Sequence, residues 1–336
     1  MEIDTSASTN GASELALKPI SSEEVREMMQ SIFSGTTCYE LIQNSAKVIV
    51  FETSINFQMA FYALLEHDAV LAPLWDPNKH TFVGLMSVAD YVDAMKLCHQ
   101  KVITTDDLAN SSIAEMMKSD VFQLRHPDFN SIDAEDSVSQ LCFHFNRYQS
   151  TFVPVVNPDD GSLLSVLGYL DVLHLLDQAA KQHPEYFNCT LSQLGININS
   201  DELVTVPLNA TLASIINFRD IKQSAIPVVD ANGLLVGIYH LNDINFITKA
   251  PDPESGVNNI DVLTVADLLQ SQADNGDNVS EGSRLAPGSA VSTIDQKLDQ
   301  VLATMMNCGS SFITIVNQQN QVIGTLCFKD LVAFFY

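Results

Sequence analysis

The stretch AVLAPLWD, residues 69–76, has three counterparts: TFVPVVN (151–157), SAIPVVD (224–230) and SFITIVN (311–317). Each is a short apolar or β-branched run closed by Asp or Asn, the pattern of a buried strand ending in a turn. Four such copies make the repeat the first thing to establish. From each closing residue the chain passes through a polar turn and a second apolar run to an Asp. Asp76 leads to Asp90, Asn157 to Asp171, Asp230 to Asp243 and Asn317 to Asp330, separations of 14, 14, 13 and 13 residues. Gly84, Gly237 and Gly324 each fall six residues before their Asp, and the second copy shifts its glycine to Gly168. This is strand, hairpin turn, strand, with the Asp opening a helix: YVDAMKL, VLHLLDQ, INFIT or LVAFF. A helix cap accounts for such an Asp; so does a binding role shared by four matched positions.

Before each first strand lies a stretch with apolar residues at three- and four-residue steps, which reads as a helix: INFQMAFYALLEHD, SVSQLCFHFNRYQ, TLASIINFRDIKQ and KLDQVLATMMNCG. Extended segments precede three of these, KVIVFETS, ELVTVPLNA and AVSTID, and a looser VFQLRHPDFNSIDAED precedes the second. The expected unit is strand–helix–strand–strand–helix. At about 60 residues it buries too little apolar surface to stand alone and needs a paired neighbour. The fold class is thus α/β, of α+β repeats, with copies grouped at 36–182 and 189–336 around KQHPEYFN. The divisions are 1–35 (a disordered segment and a lead-in helix), 36–100, 113–182, 189–250 and 260–336. The last carries an insertion at 271–289, acidic and poor in large apolar residues, that reads as disordered.

Sixteen Lys and Arg against 41 Asp and Glu leave a net charge of −25 over 336 residues. Such a surface repels nucleic acid and anionic lipid. No apolar run approaches the ~18 residues of a membrane span, and the acidic, polar N-terminus does not read as a signal peptide. Cys38, Cys98, Cys142, Cys189, Cys308 and Cys327 form no CxxC pair and read as reduced, mostly buried thiols of a cytosolic protein. No glycine-rich phosphate loop, HExxH or nucleophile elbow is present, and the histidines lack metal-ligand spacing, so neither an enzyme nor a metal site is expected. Trp75 reads as core packing.

The repeat resembles the CBS domain. Four copies in two tandem pairs resemble the regulatory gamma subunit of the AMP-activated protein kinase family: residues 38–92 are similar to its first repeat, SAIPVVDANGLLVGIYHLNDIN (224–245) to its third and VIGTLCFKDLVAFF to its fourth. The resemblance implies two paired (Bateman) domains forming a flattened disk. It implies a non-catalytic subunit that partners a catalytic Ser/Thr kinase subunit and a scaffolding beta-type subunit, in the cytoplasm or also the nucleus. No cofactor is required; AMP, ADP or ATP would act as regulatory ligands in clefts between repeats. The family's ribose-binding Asp maps to Asp90, Asp171, Asp243 and Asp330, and cleft-lining positions to Ser87, Ser224 and Ala225. Asp171 replaces an Arg of familiar animal members.

The family's basic phosphate-binding positions are replaced. Val70, Thr151-Phe152, Ser311-Phe312 and Leu170 stand where the family has Arg, His-Arg, His-Arg and Lys. Each charge-assisted hydrogen bond contributes about 1.5–3 kcal/mol, so weak or absent AMP and ATP binding is expected in at least the second and fourth clefts. The third, with Ser224, Ala225 and Asp243 together, is the one expected to remain competent. Lys222 is the leading candidate to compensate, followed by Arg147 and Lys47, and Val70, Phe152 and Phe312 predict a drier centre. The alternatives are an assembly subunit that does not sense nucleotide and a stand-alone module for another adenosyl ligand. The KVIVFET segment (47–53) either offers an edge to a scaffold subunit or pairs within its own repeat.

Overall fold

The computed structural model describes residues 20–42, 48–196, 198, 200, 203–216, 225–240, 253–274 and 290–335. Helix α1 (Ser22–Gly35) precedes a first unit of α2 (Cys38–Leu41), β1 (Phe51–Glu52), α3 (Phe57–Glu66), β2 (Leu71–Asp76), β3 (Thr81–Ser87) and α4 (Val88–His99). After α5 (Thr105–Asn110) the second has α6 (Ile113–Met117), β4 (Ile132–Asp133), α7 (Val138–Tyr148), β5 (Phe152–Val156), β6 (Leu163–Gly168) and α8 (Tyr169–Gln182). After α9 (Pro184–Phe187) the third has α10 (Leu191–Leu194), β7 (Val206–Pro207), α11 (Leu212–Ile216), β8 (Ala225–Val229) and β9 (Leu235–His240). Helix α12 (Pro253–Val262) leads to the fourth: α13 (Val265–Asp274), β10 (Val291–Thr293), α14 (Leu298–Asn307), β11 (Phe312–Val316), β12 (Val322–Cys327) and α15 (Phe328–Phe335). Helix α13 reaches Asp274, so residues 271–274 of the segment expected to be disordered are helical; 275–289 lie outside the described residues.

Each repeat has a three-stranded sheet, the first strand parallel to the second and the second antiparallel to the third. A β-bulge recurs at one register position, after the pairs Leu74–Gly84, Val155–Ser165, Val228–Gly237 and Ile315–Gly324. Three of the four therefore place glycine at the bulge, while the second repeat has Ser165 there and Gly168 at the end of its strand. A crossing chain explains Gly84. Leu85 forms an antiparallel bridge with His126, and a Cβ at position 84 would lie 2.8 Å from the His126 carbonyl oxygen and 3.2 Å from that of Pro127. Gly84→Ala should therefore push the 125–127 segment off the strand at a cost of about 1–3 kcal/mol, read as a lowered urea midpoint with an unchanged slope.

Reciprocal arms pair the repeats. Thr36 to Tyr39, ahead of the first sheet, bond the second repeat: the Cys38 and Tyr39 amides donate to the Asp136 and Ala134 carbonyls, and Val138 donates to Thr36. Ser111 to Ala114 return the exchange, with Ile113 and Ala114 donating to Ile55 and Thr53 and Phe57 to Ser111. The same swap joins the third and fourth repeats: Leu298 donates to Cys189 and Ser192 to Ile294, while Val265 and Ala266 donate to Ala210 and Leu208. Each arm opens with a Ser or Thr whose backbone amide is accepted by a side chain three residues on: Thr37–Glu40, Ser112–Glu115, Thr190–Gln193 and Thr264–Asp267. These are capping boxes, which fix where each arm turns.

The cores bind the pairs to each other. One apolar core combines α1 with the second and fourth repeats, and another combines the first and third. Helix α8 packs on α14 and α4 on α12. Arms tie first to second and third to fourth; cores tie second to fourth and first to third. The result is a closed ring of four CBS-type repeats in two tandem pairs. Within it Phe51 and Glu52 pair with Leu74 and Trp75 of their own repeat. Trp75 is only half-buried, its ring edge-on to Phe82 at 5.1 Å, so it packs on the sheet's outer side rather than in the core. None of the six cysteines is in a disulfide; Cys38, Cys98 and Cys142 are buried, and burial pushes their thiols up to about 12, 11 and 12.

Candidate functional site

The recurring geometry of the repeat is a strand running into a helix, and the matched Asp sits at that junction. It is the third residue of the helix rather than its cap residue. Asp90 accepts the Ser87 amide at 2.6 Å and the Ser87 hydroxyl through the same oxygen. Its other oxygen accepts the Arg125 amide at 2.7 Å. Asp171 accepts the Gly168 amide and Asp330 the Cys327 amide, both at 2.7 Å. Each carboxylate thus satisfies a backbone donor that the helix start leaves without an intrahelical partner.

Burial separates Asp90 from Asp171 and Asp330, which are both only partly buried. Asp90 is wholly buried and Ser87 nearly so (0% and 4% exposed), so neither offers a face to solvent. Burial pushes the Asp90 carboxyl up, against the opposing pull of the Ser87 hydroxyl and the Arg125 and Ser87 amides. Asp171 is half-buried, and burial raises its carboxyl too. Ala225 is buried in a core. Ser224, Lys222, Asp243 and Lys47 lie outside the described residues.

A cleft of about 230 Å³ opens between the first two repeats, and Asp90 is not among the residues that line it. Leu85 supplies one wall, the crossing segment Arg125–Asp128 another, and Tyr148, Ser150 and Phe152 the third. The 125–128 segment belongs to the stretch that read as loose in the sequence. Its order comes from the Asp90 bond and the bridge to Leu85.

The cleft is poor in available positive charge. The Arg125 guanidinium makes a two-point bond to Asp93, Nε to Oδ2 at 2.6 Å and Nη2 to Oδ1 at 3.0 Å. His126 is a neutral imidazole at physiological pH, because burial lowers it to about 4. Asp128 adds a carboxylate to the lining. Arg147 does not line this cleft; its guanidinium lies 5.5 Å over the Tyr148 ring.

The replaced basic positions fall in different surroundings. Val70 and Leu170 are half exposed, at 50% and 41%. Phe152 is partly buried, and its ring occupies the space beside Gly168, where a Cβ would come within 2.9 Å. Phe312 is fully buried in the core of the second and fourth repeats. The expected dry centre of Val70, Phe152 and Phe312 is therefore not one surface: Phe312 faces inward and Val70 faces water. Among the described residues no cluster of His, Cys, Asp and Glu could hold a metal ion, and no helix is long and apolar enough to cross a membrane.

Comparison with known proteins agrees with this geometry. The CBS domain family matches residues 195–246, within the third repeat. The bovine 5'-AMP-activated protein kinase subunit gamma-3 is 26% identical over 211 residues, which cover 62% of this chain and 42% of that protein. The human gamma-3 subunit is 26% identical over the same length, covering 43% of its own. The chain thus spans about two fifths of the length of the curated relatives it matches. A crystal structure from Methanocaldococcus jannaschii, described as an archaeal homologue of the gamma subunit, superposes with a TM-score of 0.69 at 15% identity, over 90% of this chain and 100% of that one. The chain thus has the fold of four CBS-type repeats in two tandem pairs and is similar in sequence to the gamma-3 subunits of AMP-activated protein kinase.

Proposed function

We propose that this chain is a non-catalytic regulatory subunit of an AMP-activated-type Ser/Thr kinase heterotrimer, assembled in the cytoplasm with a catalytic subunit and a beta-type scaffold. The observation that carries this reading is the closed ring of four CBS-type repeats, together with sequence similarity to gamma-3 subunits over 62% of the chain. The repeats are assigned to 36–100, 113–182, 189–250 and 260–336. Adenine nucleotides are the ligand class, taken up in clefts such as the one lined by Leu85, His126 and Phe152. Asp171, Asp243 and Asp330 are the proposed ribose contacts, with Ser224 and Lys222 around the third cleft; the buried Asp90, Ser87 and Ala225 are assigned structural roles instead.

Binding of phosphate is weak in this reading. In the described cleft the guanidinium is held by Asp93, the imidazole is neutral and a carboxylate stands beside them. Phosphate depends on charge-assisted donors, whereas adenosine asks for apolar and aromatic walls. That lining also favours a second reading, an adenosyl ligand with few phosphates.

Co-expression with a catalytic and a beta-type subunit, followed by calorimetry of the purified complex, tests the proposal. A stoichiometric heterotrimer is expected, with AMP half-saturating at no less than about 1 mM, a binding free energy near −4 kcal/mol. Failure to co-purify rejects the kinase assignment. Micromolar AMP binding rejects the weak-sensor reading and leaves the assembly intact.

A further inference from the structure

The outer side of the first sheet, away from both apolar cores, carries a row of three aromatic side chains. Trp75 on β2 pairs with Phe82 on β3, and their rings meet edge-on at 5.1 Å and 75°. Phe129, from the crossing segment beside β3, stacks on Phe82 at 4.7 Å with 16° between planes. All three rings are partly exposed, none packs against either core, and none lines the cleft between the first two repeats. The repeat fold does not require them. At the same register the other hairpins hold Val156–Leu163, Val229–Leu235 and Val316–Val322. In the second pair the hairpins also meet there: Leu234 bridges Gln321, the Leu235 amide donates to the Asn320 carbonyl at 2.9 Å, and Leu235 and Val316 are buried. Glu52 is the β1 partner of Trp75, so its exposed carboxylate stands on the same face at one end of the row, 3.3 Å from the Ser54 hydroxyl that donates to it. Asp128, next to Phe129, adds an exposed carboxylate at the other end. Lys79, in the hairpin turn, is paired with Asp76 at 3.7 Å.

We propose that this row is a docking site for an extended, proline-rich and arginine-bearing segment of a partner protein. Exposed apolar residues scattered singly are ordinary, but a contiguous aromatic patch rimmed by charge marks an interaction surface. Neighbouring strands lie about 4.8 Å apart, so Trp75 and Phe129, on either side of Phe82, are about 10 Å from each other. One turn of a polyproline helix advances about 9 Å in three residues, so side chains three residues apart meet the first ring and the last. Such a segment is extended before it binds, which lowers the cost of ordering it. Arginine is the charge that fits. Its guanidinium stacks on an aromatic face and pairs with a carboxylate, and Glu52 and Asp128 place one at each end of the row. A protein of charge −25 attracts basic segments at long range and repels acidic ones. The site is separate from the nucleotide cleft, and the proposal does not depend on that reading.

Trp75 is the chain's single tryptophan, so intrinsic fluorescence reports on this site alone. The full chain is titrated, by fluorescence and by calorimetry, with two capped peptides that lack aromatic residues. One is acetyl-Pro-Arg-Pro-Pro-Arg-Pro-amide and the other its counterpart with Glu in place of each Arg. The arginine peptide should shift the Trp75 emission to shorter wavelength, half-saturate below about 1 mM and bind at least about tenfold more tightly than the glutamate peptide. Trp75→Val, which installs the residue that the other three repeats hold at this register, should weaken calorimetric binding at least about tenfold, the loss expected of an anchoring ring. Its thermal midpoint should stay that of the native chain. Glu52→Gln, at an exposed position, should weaken the arginine peptide about threefold, an effect that disappears at high salt. Saturating AMP should not displace the peptide. No binding of the arginine peptide at millimolar concentration overturns the proposal. So does equal affinity for the two peptides, binding undiminished in Trp75→Val, or displacement by AMP.

Discussion

Asp90→Ala lowers the unfolding free energy by about 3–4 kcal/mol, measured as a fall in the urea midpoint. Three donors converge on this wholly buried carboxylate: the Ser87 amide, the Ser87 hydroxyl and the Arg125 amide. The hydroxyl can rotate toward another acceptor. The two amides cannot, and a buried donor left unsatisfied costs about 1–3 kcal/mol. Asp90→Asn keeps one acceptor oxygen and should lose about half as much. The loss is also local: the Arg125 amide should exchange with deuterium far faster in the variant, since that bond ties the 125–127 segment to the first repeat. A change within about 0.5 kcal/mol, the range of ordinary surface substitutions, would show that the pairing carries no weight.

The pH dependence has a definite sign. The Asp90 carboxyl is raised in the folded state, with burial the largest cause. Its contribution is complete below the unfolded value, about 4, and declines as pH rises through the raised folded value. The difference between wild type and Asp90→Ala is therefore largest in acid. Glu40 and Glu115 of the arms act in the opposite sense. Amides of Thr37 and Ser112 hold them below the usual carboxylate range, so their contributions are present above the unfolded value and fade as pH falls through the folded one.

Most of the architecture could be read from the strand–turn–strand copies, because apolar alternation and closing Asp or Asn residues are local signals. The junction role of Asp90, Asp171 and Asp330 was half legible. The sequence showed an Asp at each helix start; only the structure shows it as the third helical residue, accepting the amide of the residue before the helix. The arms are legible in principle. TCYE, SIAE, TLSQ and TVAD are four Ser/Thr-x-x-acid-or-amide boxes, each at the head of an arm. Their short helices give too little periodicity to be noticed, and the partner they bond lies in another repeat. The place of Arg125 and His126 was not legible at all. The segment has no regular pattern, and its position follows from a single buried carboxylate and a strand bridge, both long-range facts. Phe312 misled for a related reason: its place in the repeat suggested the centre, but the apolar side chain is better accommodated in the shared core.

Val70→Arg combined with Leu170→Lys raises AMP affinity by at least about 100-fold and leaves adenosine unchanged. Both sites are half exposed, so new cations there cost little stability. Both also lie close to the proposed cleft along the backbone. The Val70 carbonyl accepts the Val88 amide at the start of the helix that carries Asp90. Leu170 follows Tyr169, whose hydroxyl bonds the Ser150 carbonyl on the cleft wall. Each charge-assisted bond to phosphate contributes about 1.5–3 kcal/mol, and every 1.4 kcal/mol is tenfold. Two of them acting together give the expected gain, and adenosine, with no phosphate, is the internal control. The gain must also shrink as salt is raised, since exposed charges are screened over about 8 Å at physiological ionic strength. An equal gain for AMP and adenosine would mean that the substitutions reshaped the cleft rather than supplied charge. No gain for either would mean that phosphate lies beyond reach of both positions. In that case the Asp93 hold on Arg125, rather than the lost cations, sets the limit, and releasing that guanidinium is the change that restores binding.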